Sequence, residues 1–126
     1  MENRFDDWLV LAGRLLIAAL FLGGAAQKAL DPDPAMALLA ARGLPGALVW
    51  PALAFNALAG LALALGWRVR LVALLLAGYC AGTSLFHFLP DDPWQISIFV
   101  KNWAIAGGCL VLAAQRAGRF ALQPHR

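Results

Sequence analysis

Charge is scarce in this chain: ten Lys and Arg and seven Asp and Glu make up 13% of its 126 residues. An ordinary soluble domain is about a quarter charged and about half apolar, whereas 62% of this sequence is hydrophobic and its mean hydropathy is +0.72. Such a chain cannot cover itself with a water-soluble surface. Cysteine is equally sparse: Cys80 and Cys109 stand in different apolar runs without CxxC spacing, so neither a zinc site nor a thioredoxin-like motif is indicated. No Ser- or Gly-rich linker, acidic tail or low-complexity tract interrupts the chain, and it reads as one transmembrane domain over residues 1–126. The basic excess of +3 is scattered between apolar segments rather than gathered into a stripe, which argues against a nucleic-acid partner.

Long apolar runs are what the chain does have. Leu9 to Leu30, Ala47 to Trp67, Val69 to Leu89 and Trp94 to Ala114 each reach the roughly 20 residues that cross a bilayer. They are rich in Ala and Leu and lack the alternation of an outer-membrane strand. The fold class is therefore all-α, an integral membrane four-helix antiparallel bundle. The length of the first run, Asp6 and Asp7 before it and Arg14 within it argue against a cleaved signal peptide. After it, Asp31-Pro32-Asp33-Pro34 predicts a stop and a new start, with Asp33 as N-cap and Pro34 as first helical residue. A short interfacial helix from about Pro34 to Arg42 should end at Gly43, with Met36, Leu38 and Leu39 toward the membrane surface or the bundle. The brief Gly66-Trp67-Arg68-Val69-Arg70 connection forces a helical hairpin, and Pro90-Asp91-Asp92-Pro93 places a turn in water.

Cationic residues set the orientation. With the amino terminus inside, Arg4, Arg14, Arg68, Arg70, Arg116, Arg119 and Arg126 face the cytoplasm, and Lys28, Arg42 and Lys101 the other side. The positive-inside rule then puts both termini in the cytoplasm, with the Asp-rich loops on the periplasmic or extracellular side. Trp8, Trp50, Trp67, Trp94 and Trp103 stand mostly near segment ends, as an aromatic belt requires.

Position converts to depth at about 1.5 Å per residue, so Lys101 stands roughly 10 Å below the outer end of its helix and Asn56 roughly 14 Å below the outer end of its own. His87, Gln27 and Lys28 lie near the same boundary, and Tyr79, Thr83 and His87 share one helical face by their i, i+4, i+8 spacing. Lys101, Asn56, His87, Tyr79 and Thr83, with Asn102 beside Lys101 and Trp103 as a stacking surface, form a candidate ligand-binding pocket in the outer half, while Lys28 is assigned to packing or topology. A central Lys costs about 2.5 to 3.5 kcal/mol on the insertion scale, so an inward Lys101 with helix partners or a ligand is expected. A plainer reading stands beside each assignment. Lys101 and Lys28 can snorkel to headgroups, as can Arg14 at the inner end. Asn56 can serve only as helix glue, and Gly23, Gly24, Gly60, Gly107 and Gly108 permit close helix packing. The two cysteines differ in depth by roughly 8 Å, too much for a disulfide, and act as small hydrophobes.

In order and spacing these features resemble the DoxX family of small four-helix membrane proteins. The resemblance runs from about Ala12 to Ala114. It rests on Gly13-Arg14-Leu15-Leu16, Phe21-Leu22-Gly23-Gly24 and Lys28, on Arg42-Gly43-Leu44-Pro45, and on Gly60 to Gly66 before the arginine-bearing hairpin. Ser84-Leu85-Phe86-His87-Phe88 and Phe99-Val100-Lys101-Asn102 with Gly107-Gly108 complete it. The resemblance implies a membrane subunit with a quinone or thiol and oxidative-stress connection, since the family name comes from a subunit associated with a thiosulfate:quinone oxidoreductase. Relatives often carry Glu where this chain has Asn56, a departure that removes an ion pair with Lys101 and any proton-accepting role there.

Three functions follow as expectations. In the first, the chain is a membrane subunit of a redox assembly that binds a quinone between its helices, with Lys101 and His87 donating to a carbonyl, Asn56 and Tyr79 orienting it, and Trp103 stacking. In the second, it is a non-enzymatic scaffold for a soluble or membrane partner, alone or as a homo-oligomer. The third, a small-solute or metal-related transporter, requires an oligomer, since no acidic or histidine ladder crosses the inner half. No Ser/His/Asp set, paired carboxylates or nucleotide fingerprint is present, so a self-contained enzyme is not expected.

Overall fold

The computed structural model describes residues 4–123. Helix α1 spans Arg4–Leu30, α2 Asp33–Ala41, α3 Val49–Leu65, α4 Val69–Thr83 and α5 Pro93–Gln115. A 3-10 segment, Gly46–Leu48, leads into α3, and another, Ser84–His87, extends α4. Counting these extensions, four helical stretches are long and apolar enough to cross a membrane: Arg4–Leu30, Gly46–Leu65, Val69–His87 and Pro93–Gln115. No strand occurs among the described residues. The result is a four-helix membrane bundle, with α2 lying between the first and second crossings.

Some boundaries move for local reasons. The first helix begins at Arg4, ahead of Leu9, and holds Asp6 and Asp7 in its first turn, where carboxylates favour the positive helix end. In α2, Pro32 takes the N-cap position and no side chain caps the helix, so Asp33 is the first helical residue. Gly43 then terminates it with φ +72°. The third crossing tightens after Thr83. Thr83 Oγ1 donates to the Tyr79 carbonyl at 2.7 Å and Ser84 Oγ to that of Ala81 at 2.6 Å, a competition that draws a helix away from regular α geometry. The fourth begins on Asp92, whose Oδ1 accepts from the backbone nitrogens of Trp94 and Gln95 at 3.0 and 3.3 Å, with Pro93 as the first helical residue.

Along the bundle α1 lies against α3 and α4 against α5, and the two pairs close through α3–α4 and a sparser α1–α5 seam. Leu63, Ala73, Leu76 and Cys109 are fully buried at the centre. At Gly60, a Cβ would come within 2.9 Å of Leu22 Cγ and 3.2 Å of the Ala18 carbonyl, so glycine lets α1 and α3 approach closely. Gly107 and Gly23 meet nothing within 4 Å, and Gly108 only Ile17; these do not serve packing inside the bundle.

Residues 116–123 fold back across the end of the bundle where α1 begins and α5 ends. Arg116 turns with φ 67° and Gly118 with φ 75°. The segment then pairs with the end of α3, Leu122 N donating to the Leu65 carbonyl at 2.9 Å and Gln123 N to that of Gly66 at 3.1 Å. Gln123 Oε1 accepts from Arg68 N at 2.9 Å, beside the left-handed Arg68 of the hairpin tip. Trp8 stacks on Phe120 with ring centroids 4.5 Å apart. Arg126, counted toward the inner face, lies outside the described residues.

Candidate functional site

Three cationic side chains, Arg14, Lys28 and Lys101, belong to membrane-spanning helices, and the fold treats each differently. Arg14 is 1% exposed. It does not snorkel to lipid: Nη1 donates to the Ala117 carbonyl at 2.7 Å, and Nη2 to Phe120 at 2.7 Å and Ala64 at 3.4 Å. Side chains on a helix lean toward its amino end, and α1 starts at the end where the tail folds back, so Arg14 is aimed at the carbonyls that the tail leaves open. Its Nε is left without a partner.

Lys28, near the other end of α1, leans by the same rule back into the bundle and away from the headgroups. Its Nζ donates to Asn56 Oδ1 at 3.0 Å, and Asn56 is 2% exposed. The Tyr79 side chain lies near the same amide. The Tyr79 ring packs between Phe55, 5.0 Å away, and Phe21, edge-on at 6.4 Å. A Cβ on Gly24 would stand 3.7 Å from Asn56 Oδ1 and 3.9 Å from Lys28 Nζ, so glycine gives the pair its room. Asn56 therefore joins α1 to α3, and its cationic neighbour is Lys28 where Lys101 was expected.

Lys101 is exposed. Because α5 starts at the opposite end from α1, its stem leans toward that end along the outside of the helix. With Trp94, Ser97 and Ile98 it lines a shallow groove of about 160 Å³. Asn102 is half-buried and Trp103 is 50% exposed, its ring meeting Phe99 edge-on at 6.4 Å. The fold thus brings together Asn56 and Tyr79, with Thr83 bound to the Tyr79 carbonyl one turn away, and leaves Lys101 and Trp103 outside.

His87 is separated from both. The 3-10 geometry of Ser84–His87 breaks the i, i+8 register with Tyr79, and His87 Nδ1 instead pairs with Gln95 Oε1 of α5 at 2.7 Å. Arg42 Nη2, at the end of α2, donates to the Leu85 carbonyl and ties α2 to this segment. Gln95 and the tail residues Ala117 and Phe120 carry no sequence signal for these roles, because a carbonyl or an amide acquires its meaning only from what folds beside it.

A second concavity, about 340 Å³, opens at the hairpin tip and is lined by Arg68, Val69, Arg70, Leu71 and Gln123. The Arg68 guanidinium lies 5.4 Å from the centre of the Trp67 ring. Both cysteines are free and buried. No group of three or more His, Cys, Asp or Glu that would hold a metal ion occurs among the described residues. Chemically, the buried cluster pairs a cation with an amide beside a phenol and contains no carboxylate, while the outward Lys101 offers hydrogen-bond donors to whatever lies against α5.

Comparison with known proteins agrees with this architecture. Inner membrane protein YqjF of Escherichia coli (strain K12) is 29% identical over 121 residues, which make up 95% of this chain and 93% of that protein. No solved structure matches. The family model described as DoxX matches residues 9–89, from α1 through the end of the third crossing, and the chain belongs to the DoxX family.

Proposed function

We propose that this chain is a membrane subunit without a reaction centre of its own, holding a partner chain of a redox-linked assembly in the bacterial inner membrane with both termini in the cytoplasm. One observation carries the reading: Arg14, Lys28 and His87 each have a hydrogen-bond partner within the chain, whereas Lys101 is directed outward. A site for chemistry would need a cation free to meet a substrate, and Arg14 and Lys28 are held by acceptors of this chain. The resemblance to a subunit associated with a thiosulfate:quinone oxidoreductase supplies the redox connection, and the name of the Escherichia coli relative supplies the membrane.

The test is composition. A chromosomally tagged chain, extracted in a mild detergent, should migrate with another polypeptide in fixed proportion, and its deletion should lower quinone reduction in isolated membranes. Migration alone or only with itself sinks the reading.

A second reading is favoured by the groove of Trp94, Ser97, Ile98 and Lys101. It is mainly apolar with one ammonium, which suits a quinone headgroup held at the edge of the bundle with its tail in lipid. Ubiquinone and menaquinone titrations of wild type and Lys101→Leu decide it; equal affinity in folded samples counts against the groove.

A further inference from the structure

We infer that the outward face of α5 docks a membrane-spanning helix of a different chain, and that this helix carries an Asp or Glu at the depth of Lys101. The inference rests on the subunit reading and names the surface it would use. Ser97, Lys101, Ala104 and Gly108 follow one another at intervals of four, three and four residues, and all four are exposed. The interval from Ala104 to Gly108 is the small-xxx-small spacing that lets two membrane helices approach closely. A Cβ on the neighbouring Gly107 would meet nothing within 4 Å, so that glycine is not needed for packing within this bundle.

Charge selects the occupant. Lys101 stands eight residues after Pro93, roughly 12 Å along the helix, and has no hydrogen-bond or ion-pair partner among the described residues. Its stem leans from there toward the outer end, and a lipid-facing ammonium within a span is unfavourable against hydrocarbon and becomes favourable against a carboxylate that it neutralises. A second copy of this chain does not supply one. In a parallel two-fold pair identical residues share a depth, so Lys101 would meet Lys101. The spans facing this level contain no Asp or Glu, since the nearest carboxylates, Asp31, Asp33, Asp91 and Asp92, lie just before α2, at its first residue or in the turn preceding α5. The partner is therefore heterologous and acidic within its span.

The experiment places a photoreactive benzoylphenylalanine at Val100 or Val111, which are 59% and 64% exposed and flank the stripe, with Leu58 at 69% exposure on α3 as the control position. It is carried out on the full chain in its native membrane. The expected result is an adduct from the α5 positions, absent from Leu58, whose captured span contains a carboxylate in the corresponding half of the bilayer. Its yield should fall about tenfold in Lys101→Leu, less in Lys101→Gln, and recover when Lys101→Glu is combined with the reciprocal acid-to-lysine change in the partner. An adduct of two copies overturns the inference, as do lipid adducts alone, a captured span without a carboxylate, or a yield indifferent to residue 101. Because Lys101 faces outward, the variants should retain the wild-type unfolding midpoint, which is measured alongside. If the assembly stays intact while these results fail, the subunit reading survives and only the α5 interface is lost.

Discussion

Arg14 Nη1 and the carbonyl of Ala117 are joined at 2.7 Å across 103 residues of sequence, so the first membrane helix is completed by the last segment of the described chain. The bond stabilises in both directions. It gives a guanidinium in the apolar bundle an acceptor, and it gives a tail carbonyl released from helix α5 a donor. Loss of either partner leaves a buried polar group unsatisfied, at about 1 to 3 kcal/mol for each such group.

Arg14→Leu should therefore lower the unfolding free energy by about 2 to 4 kcal/mol, with Arg14→Lys between it and wild type because one ammonium cannot reproduce the planar fork. Denaturant titration in detergent, followed by tryptophan fluorescence, measures this; a wild-type midpoint in Arg14→Leu would show that the three carbonyls are satisfied in another way.

Removal of residues 116–126 should cost about as much as Arg14→Leu, and the two changes together should cost little more than one, since they break the same contacts. A double-mutant cycle on the same unfolding signal supplies the coupling. Additive losses would mean that the tail and Arg14 act independently.

Gly66→Ala should loosen the same end by a different route. Gly66 has φ +78°, and a Cβ there would lie 2.2 Å from Ala121 Cβ, so both backbone strain and a clash with the tail follow. Gly78→Ala, on α4 with nothing within 4 Å, should be neutral or slightly stabilising. Protease sensitivity of the carboxyl-terminal segment reads the difference; equal sensitivity in the two variants contradicts the packing.

Between Lys28 and Asn56, Leu substitutions taken singly and together should give a coupling of about 0.6 kcal/mol, with an upper bound of about 1.7 kcal/mol, the range measured for hydrogen bonds between membrane helices. Lys101→Leu combined with Asn56→Leu should show none. Coupling to Lys101 in place of Lys28 would reverse the assignment of partners.

Cys80 and Cys109, both buried, should react with a membrane-permeant maleimide only after the protein is unfolded in SDS. Rapid labelling in intact bilayers would indicate an opening of the bundle at their level.

The crossings, the hairpin and the turn before α5 were legible in the sequence for a simple reason. Apolar runs of about 20 residues leave a backbone in hydrocarbon no alternative to a helix, and Pro32, Pro34, Pro90 and Pro93 mark where helices stop or start. Depth was legible as well, because rise per residue is constant. What depth could not supply was direction around and along the helix. Lys28 and Lys101 sit near the same end of the bundle, yet α1 arrives there and α5 departs from it. The common lean of side chains toward the amino end therefore turns Lys28 inward to Asn56 and carries Lys101 along the outer surface. Arg14 follows the same logic, with two of its three acceptors more than 100 residues away, where no periodicity announces them. The chain alone determined that its helices span a membrane and which charges they carry into it. Only the packing of helices running in opposite directions decided which of those charges are satisfied within this chain, and left Lys101 to be satisfied from outside it.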